Sequence, residues 1–526
     1  MGKFALCGAR IAYGNSWSVA VFSQRFFMCR FIFNRKKLIA SILTLCLFLS
    51  GCGAGKEGQE KASGHAGQES TSSVRTDRSA SQAGAEAPQN ETGTSQKQSQ
   101  KQSENTAGKV GSLRLLNDRQ MSFMTSEGYY YITGNSVELG KDLWGRHIMY
   151  MDFATKKEVY LCNEPGCKHK DKNCTSVLPE EEFGDDCILF VLNNRLWLVS
   201  KDQDDENTIA SDLYFDEKEG LSERQKLPTV IYSMNRDGSS RKKEYTFEQD
   251  VTVDQVVLCD GENMYLAAKK VNAISEKQAT WHTATERKLV RFRTRDSVME
   301  TVCSLQPDDK IRWYVAGGCG DRVILQGTKY NQNLSWQEEM ALDKEEYWKY
   351  AKDSSEVYAS LDPADGSVKK IYSIKNDPDS ENSTAVLGDF LYVSREKEGT
   401  VQKVDLETGK AKMLARLKQN FIEGTMSDKL RCQAWDRTKP HIYFVDINTG
   451  EISHCTLVNQ CNGWELEIKG DTGSQVLLVY DYDAKEDKEE KGAWEISRYQ
   501  YGLIDKKDLY KSIGNFQKIE MKEEGQ

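Results

Sequence analysis

The first 51 residues contain no aspartate or glutamate, although acidic side chains outnumber basic ones, 80 to 71, in the whole 526-residue chain. Residues 53–112 contain no aromatic side chain, and Val74 and Val110 are their only larger aliphatic ones. No Gly-x-Ser-x-Gly elbow, His-Glu-x-x-His pair or phosphate loop occurs, nor any repeated Ser-x-Asp-x-Gly-x-x-Trp box. The usual sequence routes to serine hydrolase, zinc protease and nucleotide chemistry are therefore missing. There is also no basic stripe interleaved with aromatics. Beyond residue 51 the chain keeps 64 basic and 80 acidic side chains, a net charge of about −16 that repels a polyanion. Nucleic acid is thus excluded as a partner. A mean hydropathy of −0.64 with 29% charged residues excludes a polytopic membrane protein.

What the N-terminus does have is ordered. Arg35-Lys36-Lys37 is a basic patch, and Leu38 to Leu49 is a twelve-residue apolar run. That run falls short of the about 20 residues a bilayer core of about 30 Å requires. Leu49-Ser50-Gly51-Cys52 follows. Basic, apolar and small residues in this order read as a secretory signal, here occupying 1–51. Residues 1–27 fit no signal pattern, and Met28 would begin a signal of ordinary length.

Leu-Ser-Gly-Cys resembles the lipobox of bacterial lipoproteins. The resemblance implies diacylglyceryl transfer to the Cys52 thiol and cleavage before it. Two acyl chains would hold the chain at the extracytoplasmic face of the cell membrane. Residues 52–112 then read as a disordered, lipid-anchored linker, because a segment so poor in apolar side chains cannot offset its ordering entropy. About 60 such residues have a root-mean-square reach of about 40–45 Å.

From residue 113 the composition changes to short apolar runs between turn signals. The clearest unit is Ile442-Tyr-Phe-Val-Asp446-Ile-Asn-Thr-Gly450, matched by Val401-Gln-Lys-Val-Asp405-Leu-Glu-Thr-Gly409 and Val357-Tyr-Ala-Ser-Leu-Asp362-Pro-Ala-Asp-Gly366. Each reads as a hairpin with Asp binding turn amides and Gly at positive φ. Asp362, Asp405 and Asp446 lie 43 and 41 residues apart, the length of a four-stranded blade. Units beginning near 121, 186, 254, 313, 384, 426 and 465 predict an all-β fold, a propeller of about seven blades over 113–526. Two packed β-sandwiches are the competing architecture. The best helical stretch, Trp336 to Lys352, reads as a loop insertion. The pattern resembles the propeller domains of exported lipoproteins, of the broad TolB-like and quinoprotein-like class, including uncharacterised ones of Gram-positive bacteria. That resemblance implies fold and no activity.

The sharpest local feature is Cys162-Asn-Glu-Pro-Gly-Cys167-Lys-His169-Lys-Asp-Lys-Asn-Cys174. Three thiols and an imidazole can complete a zinc shell. Exported cysteines more often pair, and a Cys162–Cys174 or Cys167–Cys174 bridge, with Cys187 as a further candidate, would pin the same loop. The disulfide is the favoured expectation here, zinc the alternative, free thiols the third. A second bridge is open to Cys432, Cys455 and Cys461. Cys259, Cys303 and Cys319 sit on apolar runs and read as small buried side chains. His454-Cys455 cannot form a catalytic dyad, since neighbours on a strand face opposite ways. Trp336 and Trp348 flank the helical insertion, where aromatics can stack on a ligand. Together these features point to a surface-anchored binding or interaction scaffold, with a cell-envelope protein or glycan as partner. The alternative is an enzyme acting on extracellular glycan or peptide in the propeller funnel; a third is a structural member of an envelope complex.

Overall fold

The computed structural model describes residues 112–522 apart from short internal stretches, chief among them 202–226, 335–337, 378–381, 436–439 and 487–493. The signal region, Cys52 and nearly all of the linker lie outside the described residues.

Seven antiparallel sheets follow one another along the chain and form a seven-bladed β-propeller. Their first strands are Ser122–Met124, Asp186–Leu192, Val251–Cys259, Ile311–Cys319, Asn382–Leu387, Asn420–Thr425 and Glu467–Asp471. First strands of neighbouring blades lie side by side, which puts them at the hub and the fourth strands at the rim. Each seam between blades is a separate apolar layer. Ile324, Tyr358, Leu391 and Val404 fill the one between blades 4 and 5, and Tyr392, Ile422, Leu430 and Cys432 the next.

The repeated turn joins the third and fourth strands of a blade. Gly409 and Gly450 donate to the carbonyls of Asp405 and Asp446, four residues back, at 2.8 and 2.9 Å. The Asp side chains accept from turn amides such as Thr408 N and Thr449 N. These glycines have φ of 70° and 76°. They also touch the preceding blade: a Cβ on Gly409 would sit 2.6 Å from the Ile371 carbonyl, and one on Gly450 would overlap the Leu414 carbonyl. Lysines add ties in the same direction, Lys369 Nζ to Glu407 O and Lys403 Nζ to Ile447 O, both at 2.9 Å.

Neither terminus completes a blade in the ordinary way. Arg114–Asn117 is an extra strand antiparallel to the first strand of blade 3. Leu113 N donates to Gly320 O of blade 4, and Asn117 Nδ2 to Leu189 O of blade 2 at 2.7 Å. The segment 113–118 thus crosses three hub strands before blade 1 begins. At the other end, Glu520 exchanges backbone hydrogen bonds with Lys156 and Glu158 on the rim of blade 1. Ile519 and Met521 join Tyr129, Met151 and Leu503 in the seam of blades 7 and 1, which closes the ring.

Strand alternation sorts the connections onto two faces. First-to-second and third-to-fourth connections are mostly tight turns and share the face where Leu113 enters. The other face carries the insertions. These include a hairpin prolonged to Glu276 and Ala279, the helix Lys344–Lys352, and a hairpin prolonged to Glu486 and Trp494.

Candidate metal centre

The third strand of blade 1, Leu143–Asp152, has two outer partners. Lys157–Tyr160 pairs with its later half, and Val177–Pro179 with its earlier half. The rim strand is therefore one strand interrupted by residues 161–176. Ile148 closes the neck of this loop: its carbonyl accepts from Leu161 N at 3.0 Å, and its amide donates to Ser176 O at 2.8 Å.

Within the loop the chain turns tightly three times. Cys162 N bonds Tyr160 O, Cys167 N bonds Glu164 O after the Pro165-Gly166 turn, and Cys174 N bonds Asp171 O. The outcome is that one ligand atom each from Cys162, Cys167, His169 and Cys174 falls within 4.8 Å of the others. His169 Nδ1 lies 3.3 Å from Cys174 Sγ. A tetrahedral zinc shell with Zn–S of about 2.3 Å places its ligand atoms about 3.5–4 Å apart, so little contraction is needed.

His169 adopts φ of 55°, a left-handed conformation that a non-glycine residue holds only when its surroundings impose it. The surroundings are specific. The His147 ring donates from Nε2 to the His169 carbonyl at 2.8 Å, and the Tyr160 ring stacks on the His169 imidazole at 4.2 Å between centroids. Such outer contacts orient a ligand. Burial, then repulsion from His147, lowers the His169 pKa and favours the neutral form a metal requires. Burial pushes the Cys174 thiol up to about 12. Burial also raises Cys162, but the Glu164 amide and bonds from Cys174, Thr175 and Cys167 outweigh it and leave that thiol below its ordinary range. Three thiols and one imidazole fill all four positions of a tetrahedron. That donor set suits a structural ion, since catalytic zinc keeps a position open.

The loop also reaches blade 2. A Cβ on Gly238, in the turn of that blade, would lie 2.5 Å from the Leu161 carbonyl. Asn163 Nδ2 donates to Asp237 at 3.1 Å. The half-buried Arg241 guanidinium donates to the carbonyls of Val177 and Thr175. The cluster thus sits at the rim, on the seam of blades 1 and 2, and away from the hub.

The favoured disulfide is not seen: among the described residues no two of the ten cysteines lie at bonding distance. In the loop the donors converge on a common centre instead of pairing. Cys187 is buried in the neighbouring core, its thiol directed to the Phe183 carbonyl. Cys432 and Cys455 lie in different seams, on opposite sides of blade 6, so those two cannot pair; Cys461, half-buried in the connection into blade 7, is at bonding distance of neither. Cys259 is buried, as expected, while Cys303 and Cys319 are half-buried. Trp348 falls in the helix Lys344–Lys352, opened by an Asp343–Glu346 capping box, and Trp336 lies outside the described residues.

No protein-family model and no curated protein matches the chain. Solved structures do. TolB from Acinetobacter baumannii is 11% identical with a TM-score of 0.29, covering 75% of this chain and 82% of its own. An oligogalacturonate lyase in complex with manganese is 10% identical with a TM-score of 0.35, covering 60% and 72%. The acylaminoacyl peptidase of Pyrococcus horikoshii is 11% identical with a TM-score of 0.36; the match takes in 61% of this chain but only 45% of the peptidase. At such identities the likeness is one of fold.

Proposed function

We propose that the chain is an exported lipoprotein, held through Cys52 at the extracytoplasmic face of the cell membrane, whose propeller binds an envelope protein or glycan. A structural zinc ion fastens its rim loop. The observation that carries the binding reading is the path of residues 113–118, which line the hub with the chain's own backbone along blades 4, 3 and 2. The hub is where a funnel enzyme would place substrate. The zinc reading draws support from the four convergent ligand atoms. Mass spectrometry of the protein from its native membrane should find a diacylglyceryl group on Cys52 and one zinc per chain. A deletion strain should show an altered envelope or altered ligand uptake. An unmodified N-terminus, or an unchanged envelope and uptake, would refute the corresponding half.

The funnel-enzyme alternative draws on Glu465. Burial and the nearby Glu423 push its carboxyl up to about 7, the range in which an acid–base catalyst operates. Turnover of a wall or polysaccharide library that is lost in Glu465→Gln would favour this reading over the scaffold.

A further inference from the structure

The four ligands of the rim loop are not equivalent in their placement. Cys162 and Cys174 stand at its two ends, one residue beyond a tie across the neck. Thr175 Oγ1 donates to the Leu161 carbonyl at 2.9 Å, and the Ile148 backbone binds both Leu161 and Ser176. The next pair outward is Cys162 and Cys174. Their sulfurs are two of the ligand atoms that lie within 4.8 Å of one another. Cys167 sits instead on the arm between them, beyond the Pro165-Gly166 turn, where its sulfur accepts from His169 N at 3.4 Å. Joining the end pair at the disulfide distance of about 2.05 Å closes the neck; joining either to Cys167 does not.

The same loop is where an oxidant would act. A bound zinc ion keeps its sulfurs as thiolates, the reactive form. Elsewhere, Cys187 and Cys259 are fully buried. Burial pushes the Cys303 and Cys319 thiols up to about 11 and Cys432 up to about 12. Burial also raises Cys455, and burial together with Asp481 and Asp483 raises Cys461. Those thiols stay protonated and resist oxidation.

We propose that the loop is a redox latch in which hydrogen peroxide exchanges the zinc ion for a Cys162–Cys174 disulfide, keeping the neck closed and freeing the arm; this rests on the zinc reading above. The half-buried Cys162 thiolate attacks one peroxide oxygen, the O–O bond breaks, and hydroxide leaves a sulfenic acid behind. The Cys174 thiolate attacks that sulfur and expels a second hydroxide as the S–S bond forms. Two electrons pass from the sulfurs to peroxide, and two solvent protons turn the hydroxides into water. Only Cys167 and His169 then remain on the ion, too few to retain it.

The neck's contacts with blade 2 lie outside the bridged residues: the Leu161 carbonyl against Gly238, and the Thr175 and Val177 carbonyls on Arg241. They survive the exchange. The Asn163 bond to Asp237 and the left-handed turn of His169 lie inside it and are released.

The test is peroxide titration of the full-length mature protein in mild detergent, reduced and loaded with zinc. A zinc-binding dye, intact mass and hydrogen exchange follow it. One zinc should leave for each peroxide consumed, with the mass loss of one disulfide. Exchange at 143–149 and 177–179 should stay within about tenfold of the zinc form, while 163–173 exchanges faster. A chelator added with reductant should instead speed exchange at the neck by about a thousandfold or more. Cys167→Ser should lose zinc yet form the bridge on oxidation and keep the neck protected; Cys162→Ser should lose both. Zinc retained against peroxide, a bridge through Cys167, or neck protection lost on oxidation overturns the inference and leaves the zinc reading standing. A reduced protein that takes up no zinc overturns both.

Discussion

Where blade 6 meets blade 5, the turn glycine Gly450 lies against the Leu414 carbonyl; where blade 2 meets blade 1, Gly238 lies against the Leu161 carbonyl. The contact is the same, yet its support differs. Leu414 belongs to a continuous rim strand, Ala411–Arg416. Leu161 is the first residue of the loop that interrupts the rim strand of blade 1, and its position depends on how that loop is held. A regular blade presents its carbonyl from a bulge inside that continuous strand, Leu414 being the residue skipped between the Val401–Ala415 and Gln402–Met413 pairs. Blade 1 presents it through a cluster of three thiols and an imidazole. Insertion of a loop into a rim strand is tolerable only if something restores the edge.

The largest effect should come from removing that restoration. Cys174→Ser, or a strong chelator, should abolish zinc binding and lower the opening free energy of residues 143–149 and 177–179 by on the order of 5 kcal/mol. Hydrogen exchange should show the loss there while the seam of blades 5 and 6 keeps its protection. Equal loss at both seams would break the contrast. Next comes Gly450→Ala, which combines φ of 76° with backbone overlap and should cost about 2–4 kcal/mol in urea unfolding. Gly366→Ala, with φ of 73° and open space around it, should cost about 1 kcal/mol. Equal costs would show that the carbonyl contact is irrelevant.

The seam of blades 6 and 7 offers a pH test. Burial raises Glu465 from 4.5 to about 7, Gln433 bonds one of its oxygens, and the other lacks a partner in the described residues. A raised carboxyl favours the fold fully below about pH 4.5, and that contribution disappears as pH rises through about 7. Glu465→Gln should therefore stabilise the protein by about 1–2 kcal/mol at pH 8 and by little at pH 4, allowing for partial solvent screening. A gain independent of pH would assign the effect to packing. The smallest expected effect is that of Lys403→Met, which removes the bond to Ile447 O and the ammonium 3.8 Å above the Phe390 ring, about 1 kcal/mol.

The regular blades were legible because their turn needs particular residues. Asp362, Asp405 and Asp446 each end a third strand at Leu361, Asp405 or Asp446, within a residue of the place the spacing indicated. Blade starts agreed to within a few residues, the largest offset falling at blade 6. Its hub strand opens at Asn420, ahead of the expected 426, and its Ile422–Gly424 stretch is bulged. The cysteine loop was legible as a cluster but not in its chemistry. Pairing and convergence have the same spacing in one dimension, and only the turns at Glu164, His169 and Asp171 distinguish them. The interrupted rim strand was illegible, since Val177-Leu-Pro is too short to announce itself. The hub strand was also missed, although Leu113-Arg-Leu-Leu carries an apolar signal. Nothing in four residues says which of seven blades they will join.

That hub strand has a mechanical consequence. Tension on the chain ahead of Leu113 is delivered near the axis of the wheel, along a strand running beside the first strand of blade 3. Pulling along the strand direction shears its hydrogen bonds together instead of unzipping them one by one. The Asn117 anchor on blade 2 shares the load before blade 1 feels it. If the chain is tethered through Cys52 as proposed, load would enter at the axle before it reached the rim.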